Sequence, residues 1–289
     1  PISVTSNGAT VYSSQPFVTT FANCNDSLTS TSFQAKVDGA VGSGPYYVAI
    51  GDLDGDGKPD AVIPNYSSNT ISVLKNISSG NSVSFASAVN FSTGSYPSSV
   101  SMSDLNGDGR LDLVVPNYNS NTVSVFKNTG LLSGGAFYSG SFNTKVDFAT
   151  GSDPYKATVG DIDGDGRPDL VVTNYSSNTV SVLRNTGLLN SGAFYSGSFD
   201  TKIDYTTGSN PYGVSVADLD ADGKIDIVVA NHSSNTISVF KNTGSVGNVS
   251  FNTKVAPNGF FPDSSNAFNV ATSSLCLSLK SASAFVLCD

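Results

Sequence analysis

The chain has no glutamate and no tryptophan, and only one histidine, one methionine and three cysteines in 289 residues. Each scarcity excludes something. With no Glu and few Lys and Ala, no stretch reads as a helix of ten residues. With one histidine and no repeated Cys/His pairing, catalysis has little to work with, and any acid–base pair would have to be two Asp. His232 stands where Tyr66, Tyr118 and Tyr175 stand in sister turns, so it reads as a turn variant, not a base. Only 14 residues are basic and they form no stripe, which argues against nucleic acid as a partner. No apolar run is long enough to span a bilayer. The chain begins at Pro1 and its single Met is Met102, which fits a removed signal peptide or a trimmed start.

What is present is aspartate, and it is concentrated. All 23 acidic residues are Asp, and 15 of them fall in four loops of one design. The first runs Asp52-Leu-Asp54-Gly-Asp56-Gly-Lys58-Pro-Asp60. The second carries Asp104, Asn106, Asp108, Arg110 and Asp112. The third carries Asp161, Asp163, Asp165, Arg167 and Asp169, and the fourth Asp218, Asp220, Asp222, Lys224 and Asp226. Hard oxygen ligands at positions 1, 3, 5 and 9, with glycine at position 6 for the sharp turn, suit a calcium ion. By analogy with the twelve-residue calcium loop, the carbonyls of Lys58, Arg110, Arg167 and Lys224 take position 7. Four carboxylates in nine residues repel one another unless a cation is present. Four divalent ions would bring the formal charge of −9 to −1, so the acidity reads as site chemistry. The expectation is about four Ca2+ per chain, one in each loop.

The loops belong to a long repeat. Ser-Phe pairs recur at 32, 84, 141, 198 and 250, with spacings of 52, 57, 57 and 52. Within each unit the order is constant. An alternating run such as Ser141 to Val146 comes first, then a Gly-Ser-x-Pro turn and a short apolar alternation. The acidic loop follows, then a continuous apolar run such as Leu170 to Thr173. The turn Asn-Tyr-Ser-Ser-Asn (174–178) then leads into Thr179 to Leu183. Period-2 alternation and β-branched residues predict four short strands per unit. A period of this length with four strands predicts an all-β fold, a β-propeller of four-stranded blades. The run after each acidic loop is then a strand buried on both faces.

The segments Val48 to Asp60 and Asn65 to Leu74 resemble the FG-GAP or VCBS-type repeat. Such repeats build the calcium-binding propeller of integrin α-subunits and many bacterial surface proteins. The resemblance covers about residues 32–256 and implies the fold and calcium binding. The family usually forms seven blades, whereas four complete repeats are present here, at about 46–91, 98–148, 155–205 and 212–256. One domain over 1–289 is therefore expected. Ile2 to Thr5 is similar to a third strand, Phe33 to Val37 reads as a fourth, and the C-terminal segment carries strand-like pieces without a loop. Residues 1–38 and 257–289 would then share one degenerate closing blade. A fragment of a larger ring, or a ring completed by another copy, is the alternative, since an unclosed array exposes strand edges.

Cys276 and Cys288 lie on two strand candidates that fold symmetrically about Ala282, which predicts a disulfide in an oxidising compartment. Cys24 is left odd, or pairs with a C-terminal cysteine instead. Seven Asn-x-Ser sequons occur, among them Asn65, Asn76, Asn90 and Asn174, a number that a chain rich in Ser and Asn also reaches by chance. Cytosolic calcium is too low to fill weak Asp loops, so an extracellular or cell-surface place is expected.

Two surfaces are candidates for partners. The insertions 130–140 and 187–197 carry Leu131, Leu132, Phe137, Tyr138 and Leu188, Leu189, Phe194, Tyr195, apolar for loops. They read either as packing on the adjacent blade or as a sticky edge for a partner or another copy. In the Asn-Tyr-Ser-Ser-Asn turns, Tyr and Asn could stack on and hydrogen-bond a glycan, and turn chemistry explains them equally well. The leading functional expectation is a non-enzymatic recognition or adhesion module for glycan or protein. The alternatives are a subunit that self-assembles into a surface polymer, and a non-catalytic domain of a larger secreted enzyme.

Overall fold

In the computed structural model, residues 3–6, 9–12, 36–80 and 82–252 are described. They fall in two compact units, Pro1–Asp38 and Gly39–Asp289. The first contains an antiparallel hairpin of β1 (Ser3–Ser6) and β2 (Ala9–Tyr12), with Val4 opposite Val11. The expected strand at Phe33 to Val37 lies outside the described residues except for Lys36 and Val37, which are not in a strand. The C-terminal closing segment, Cys24 and the Cys276–Cys288 pair also lie outside them.

The second unit repeats one antiparallel meander. The first sheet is β3 (Ala49–Gly51), β4 (Asp60–Asn65), β5 (Thr70–Leu74) and β6 (Val89–Ser92), hydrogen-bonded in that order. The second is β7 (Ser101–Ser103), β8 (Asp112–Asn117), β9 (Thr122–Phe126) and β10 (Val146–Ala149). The third is β11 (Pro154–Gly160), β12 (Asp169–Asn174), β13 (Thr179–Leu183) and β14 (Ile203–Thr206). The fourth shows β15 (Pro211–Ala217), β16 (Asp226–Asn231) and β17 (Thr236–Phe240) among the described residues. This is the all-β architecture of propeller blades that the repeat predicts.

The second strand of each sheet is the reason for the packing. All six residues of β8, β12 and β16 are buried. Side chains alternate across a strand, so burial of every residue means that both faces are covered, and for β8 and β12 a neighbouring sheet covers each face. One core joins Leu53, Val62, Ile71 and Val73 of the first sheet to Leu113, Val115 and Phe126 of the second. A second joins Val114, Val123 and Val125 to Leu170, Val172 and Leu183, and a third joins Val171, Val180 and Val182 to Ile227, Val229 and Phe240.

One boundary differs from the expectation. The Ser-Phe pairs do not open the fourth strands. Phe142 and Phe199 make isolated bridges to Asn128 and Asn185, and the strands proper begin at Val146 and Ile203. The meander also sorts its connections. Each acidic loop joins the first strand to the second, and each Asn-Tyr-Ser-Ser-Asn turn joins the second to the third. Loops and turns therefore stand at opposite ends of the sheets.

Candidate functional site

The acidic loops are organised from their first residue. Asp52 Oδ1 accepts from the backbone N–H of Gly55 at 2.8 Å and of Asp56 at 3.2 Å, and Oδ2 accepts from Gly57 at 2.8 Å. Asp104 repeats this with Gly107, Asp108 and Gly109. The tight path needs left-handed backbone at positions 4 and 6, where Gly55 and Gly57 have φ of 77° and 82°. The fourth loop departs, because position 4 is Ala221 at φ 62°.

The ninth-position carboxylates are buried and anchor the sheets. Asp60 accepts from the N–H of Leu53 at 3.0 Å and of Asn76 at 2.8 Å. Asp112, Asp169 and Asp226 each hold the equivalent pair. Burial pushes the carboxyls of Asp112 and Asp169 up to about 7, against the lowering effect of these backbone donors.

Three loops bring their carboxylates together. Oxygens of Asp52, Asp54 and Asp60 lie within 4.8 Å of one another, as do those of Asp161, Asp163 and Asp169, and of Asp218, Asp220 and Asp226. These are positions 1, 3 and 9. In the third triad, Asp163 Oδ2 is buried and accepts no hydrogen bond, with Arg184 at 3.7 Å. An orphaned buried oxygen among converging carboxylates fits a hard divalent cation. The fifth-position carboxylates take other partners. Asp56 faces Lys75 at 2.9 Å, Asp108 faces Arg110 at 2.7 Å and Lys127 at 3.1 Å, Asp165 pairs with Arg167, and Asp222 faces Lys241 at 2.9 Å. In the second loop the Asn106 amide donates to Asp112 Oδ2 at 3.1 Å.

Sequence reasoning missed the cations. Lys75, Lys127, Arg184 and Lys241 each follow the third strand and reach the acidic loop of their own sheet. The signal was available, since a basic residue stands fifteen positions after every ninth-position Asp. Each ammonium or guanidinium offsets part of the loop's self-repulsion.

The insertions split between core and surface. Phe137 and Phe194 are 6% and 7% exposed and belong to the cores between sheets, beside Phe142 and Phe199. Their expected place on a partner surface is therefore corrected. The inserted hairpin folds the phenylalanine inward because Ser141 Oγ ties back to Leu131 O, and Ser198 Oγ to Leu188 O, both at 2.7 Å. Tyr138 and Tyr195 are half-buried. Leu131 and Leu188 are each 55% exposed, and Leu132 and Leu189 are exposed as well.

The sequons resolve differently. Asn65 and Asn174 are fully buried, and each donates its amide to Thr and Ser hydroxyls of the next strand at 2.8–3.0 Å. Asn76 is buried too, so the folded chain offers none of these three to a glycosyltransferase. Asn90 is exposed.

At the opposite end of the sheets, tyrosines gather. Tyr66 stacks on Tyr96 with centroids 4.5 Å apart and an interplanar angle of 9°. Tyr118 lies 6.4 Å from Tyr66 and 6.4 Å from Tyr175. Tyr155 and Tyr212 lie at the start of β11 and β15 and Tyr46 just ahead of β3, and the Tyr46 hydroxyl meets that of Tyr155 at 2.6 Å, while Tyr155 and Tyr212 share a further hydroxyl contact. His232 lies 5.7 Å from Tyr212.

Comparison with known proteins agrees with this architecture. A proposed 6-phosphogluconolactonase from Bacteroides fragilis is 15% identical with a TM-score of 0.51, over 74% of this chain and 57% of that one. That is a likeness of fold alone. A catalytically inactive virginiamycin B lyase from Staphylococcus aureus with quinupristin is 15% identical with a TM-score of 0.44, over 72% of this chain and 55% of that one. An Agrocybe aegerita lectin that recognises non-reducing terminal N-acetylglucosamine is 18% identical with a TM-score of 0.44, over 73% and 52%. The chain thus spans little more than half the length of these three solved structures. No curated protein matches it. The FG-GAP-like repeat matches three times in tandem, at residues 52–115, 104–172 and 161–229, with its start on the first Asp of an acidic loop each time. More than half of the chain is covered, and the protein belongs to the FG-GAP-like repeat family.

Proposed function

We propose that the chain is an extracellular, calcium-stabilised β-propeller module for recognition or adhesion. The observation that carries this reading is the set of three carboxylate triads, each with oxygens inside 4.8 Å, one of which includes the orphaned Asp163 oxygen. Calcium would be held by positions 1, 3 and 9, with the fifth carboxylate and the seventh carbonyl completing the shell once the ion competes with the neighbouring cations. The bound ion would lock each loop between two strands of its sheet. Asp loops of this kind fill at the calcium levels found outside cells.

The non-catalytic part of the reading rests on the residues, not on the fold, since structures with this fold include proteins named as a lyase and a lactonase. The one histidine packs in a turn against Tyr212. The ninth-position carboxylates, whose affinity for a proton would otherwise mark them as candidate acids, are committed to backbone donors within the loops. A second reading, self-assembly into a surface polymer, is favoured by the exposed pairs Leu131–Leu132 and Leu188–Leu189.

Two measurements test the proposal together. Metal analysis after equilibration in calcium should find at least three bound ions, and binding of the chain to glycan arrays or to extracellular matrix should require calcium. Fewer than three ions, or binding indifferent to chelator, would defeat the calcium-stabilised module. Concentration-dependent filaments by electron microscopy, with no ligand bound, would favour the polymer.

A further inference from the structure

The Asn-Tyr-Ser-Ser-Asn turns contain one residue that the turn does not need. The first Asn is buried and ties the second strand to the third, as in Asn174 to Thr179 and Ser181. The last Asn adopts left-handed backbone, with φ of 56°, 54°, 55° and 50° at Asn69, Asn121, Asn178 and Asn235. The tyrosine has no such duty, and the fourth turn closes with His232 in its place. Yet Tyr66, Tyr118 and Tyr175 all meet the tyrosines of neighbouring sheets, and the row includes well-exposed rings, with Tyr46 at 51% and Tyr96 at 39%. A contiguous, partly exposed aromatic surface on loops marks a binding site more often than a structural need.

We propose that this end of the sheets is a saccharide platform whose ligand is a neutral polysaccharide chain lying along the tyrosine row. The inference rests on the recognition reading above and gives that reading a place and a ligand class. A pyranose ring presents C–H groups on its faces and hydroxyls on its edge. Tyrosine offers the complement, a π face with negative quadrupole and a hydroxyl at the tip. The hydroxyls of Tyr46, Tyr155 and Tyr212 cluster within the aromatic array. A protein interface would favour a dry apolar centre there. Burial, joined by the neighbouring phenols, raises Tyr155 above the usual phenol value. Beside them the Asn210 amide donates to the Tyr175 carbonyl at 3.1 Å. Of the charged groups, Asp153 acts on the phenols of Tyr66 and Tyr118, and Lys156 lies over the ring of Tyr47 at 5.3 Å. Among the described residues no row of cations lies there for phosphates or uronates.

The regular spacing argues for a chain over a single sugar. Tyr66, Tyr118 and Tyr175 follow one another at 6.4 Å, so aromatic contacts recur along the row. A polymer engages several at once, and weak contacts then add through high effective concentration.

The test is affinity gel electrophoresis in laminarin, dextran, galactomannan or xyloglucan, with alginate as the acidic control. Tyrosine emission provides a second readout, undisturbed because the chain has no Trp. At least one neutral polymer should retard the protein and change its emission. Tyr118→Ala with Tyr175→Ala should weaken binding about tenfold, with calcium-dependent melting intact. If that pair unfolds, Tyr96→Ala, on an exposed ring outside those turns, should weaken it by a smaller factor. No retardation by any neutral polymer, or retardation by alginate alone, overturns the proposal. Equal binding by wild type and variants also overturns it, since sugar would then bind elsewhere while the recognition reading stands. Capture of a protein ligand without any sugar binding would likewise spare that reading and sink the platform.

Discussion

Asn185 reaches from the third sheet to the carbonyl of Leu105 in the acidic loop of the second, at 2.8 Å. The same amide donates to Pro168 O at 3.0 Å, and the Asn185 backbone N–H donates to Asp169. Asn128 to Leu53 and Asn242 to Ile162 repeat the clasp at 2.7 Å each. One side chain therefore couples adjacent sheets and their loops.

Replacing Asn185 by Ala should leave two buried carbonyls without that donor. Unfolding in denaturant should show a loss of about 1–3 kcal/mol, the usual cost of an unsatisfied buried group. Asn128→Ala should behave alike. A variant with an unchanged midpoint would show that the clasp contributes nothing net.

Chelation should lower the melting temperature by several degrees, because an ion that binds only the folded chain stabilises it by an amount that rises with the logarithm of its free concentration above Kd. Asp163→Ala should remove most of the calcium effect of the third loop. The second loop should be weakest, since Asn106 brings no charge and its amide donates to Asp112. Asn106→Asp should therefore raise the number of tightly bound ions by one, as read by calcium titration. An unaltered titration would show that the third position does not ligate in that loop.

Much of this was legible in the chain itself. The 52- and 57-residue spacings, the four-strand order and the doubly buried second strand all follow from periodicity, because strand alternation and turn chemistry are local. The partners of the loops left only a fixed fifteen-residue offset in the sequence, because Lys75 and Arg184 meet their carboxylates only when the third strand has come back beside the second. Phe137 and Phe194 looked like loop residues because an insertion has no period to show which way a side chain faces. The tyrosine row was hidden for a further reason. Tyr46 and Tyr155 are 109 residues apart and meet only across sheets.

The two halves of each insertion should part under mutation. Leu131, Leu132, Leu188 and Leu189 replaced by Ser should preserve the calcium-dependent melting curve, and should weaken self-association or partner binding if either uses this edge. Phe137→Ala or Phe194→Ala should instead destabilise the fold by about 3–5 kcal/mol, as for a buried aromatic. Comparable losses from the leucine variant would place the leucines in the core as well.

Ala221 holds φ 62° at a position where the other three loops have glycine. A Cβ in left-handed backbone costs roughly 1–2 kcal/mol, offset in part by the greater freedom glycine gives the unfolded chain. Ala221→Gly should stabilise the protein by up to about 1 kcal/mol and tighten calcium in the fourth loop. Lower stability in thermal unfolding would show that the loop relaxes around alanine without strain.

Alkaline titration should set apart the tyrosines whose phenols burial raises. Burial raises the phenols of Tyr66, Tyr118 and Tyr155, and pushes Tyr212 up to about 12. With no Trp, the ultraviolet signal of phenolate forming from the 12 tyrosines is read cleanly. Part of it should appear at the ordinary phenol value near 10, and the remainder only above it. The sign of the linkage follows. A phenol whose folded pKa exceeds its unfolded one binds its proton more tightly in the native state. That contribution to stability is complete below pH 10 and is lost as pH rises through about 12 for Tyr212. Tyr212→Phe should abolish part of the late-titrating signal and flatten the alkaline fall in melting temperature. A single titration step near 10 in the native protein would show that the hydroxyls are solvated, and that the row is looser than the contacts among Tyr46, Tyr155 and Tyr212 require.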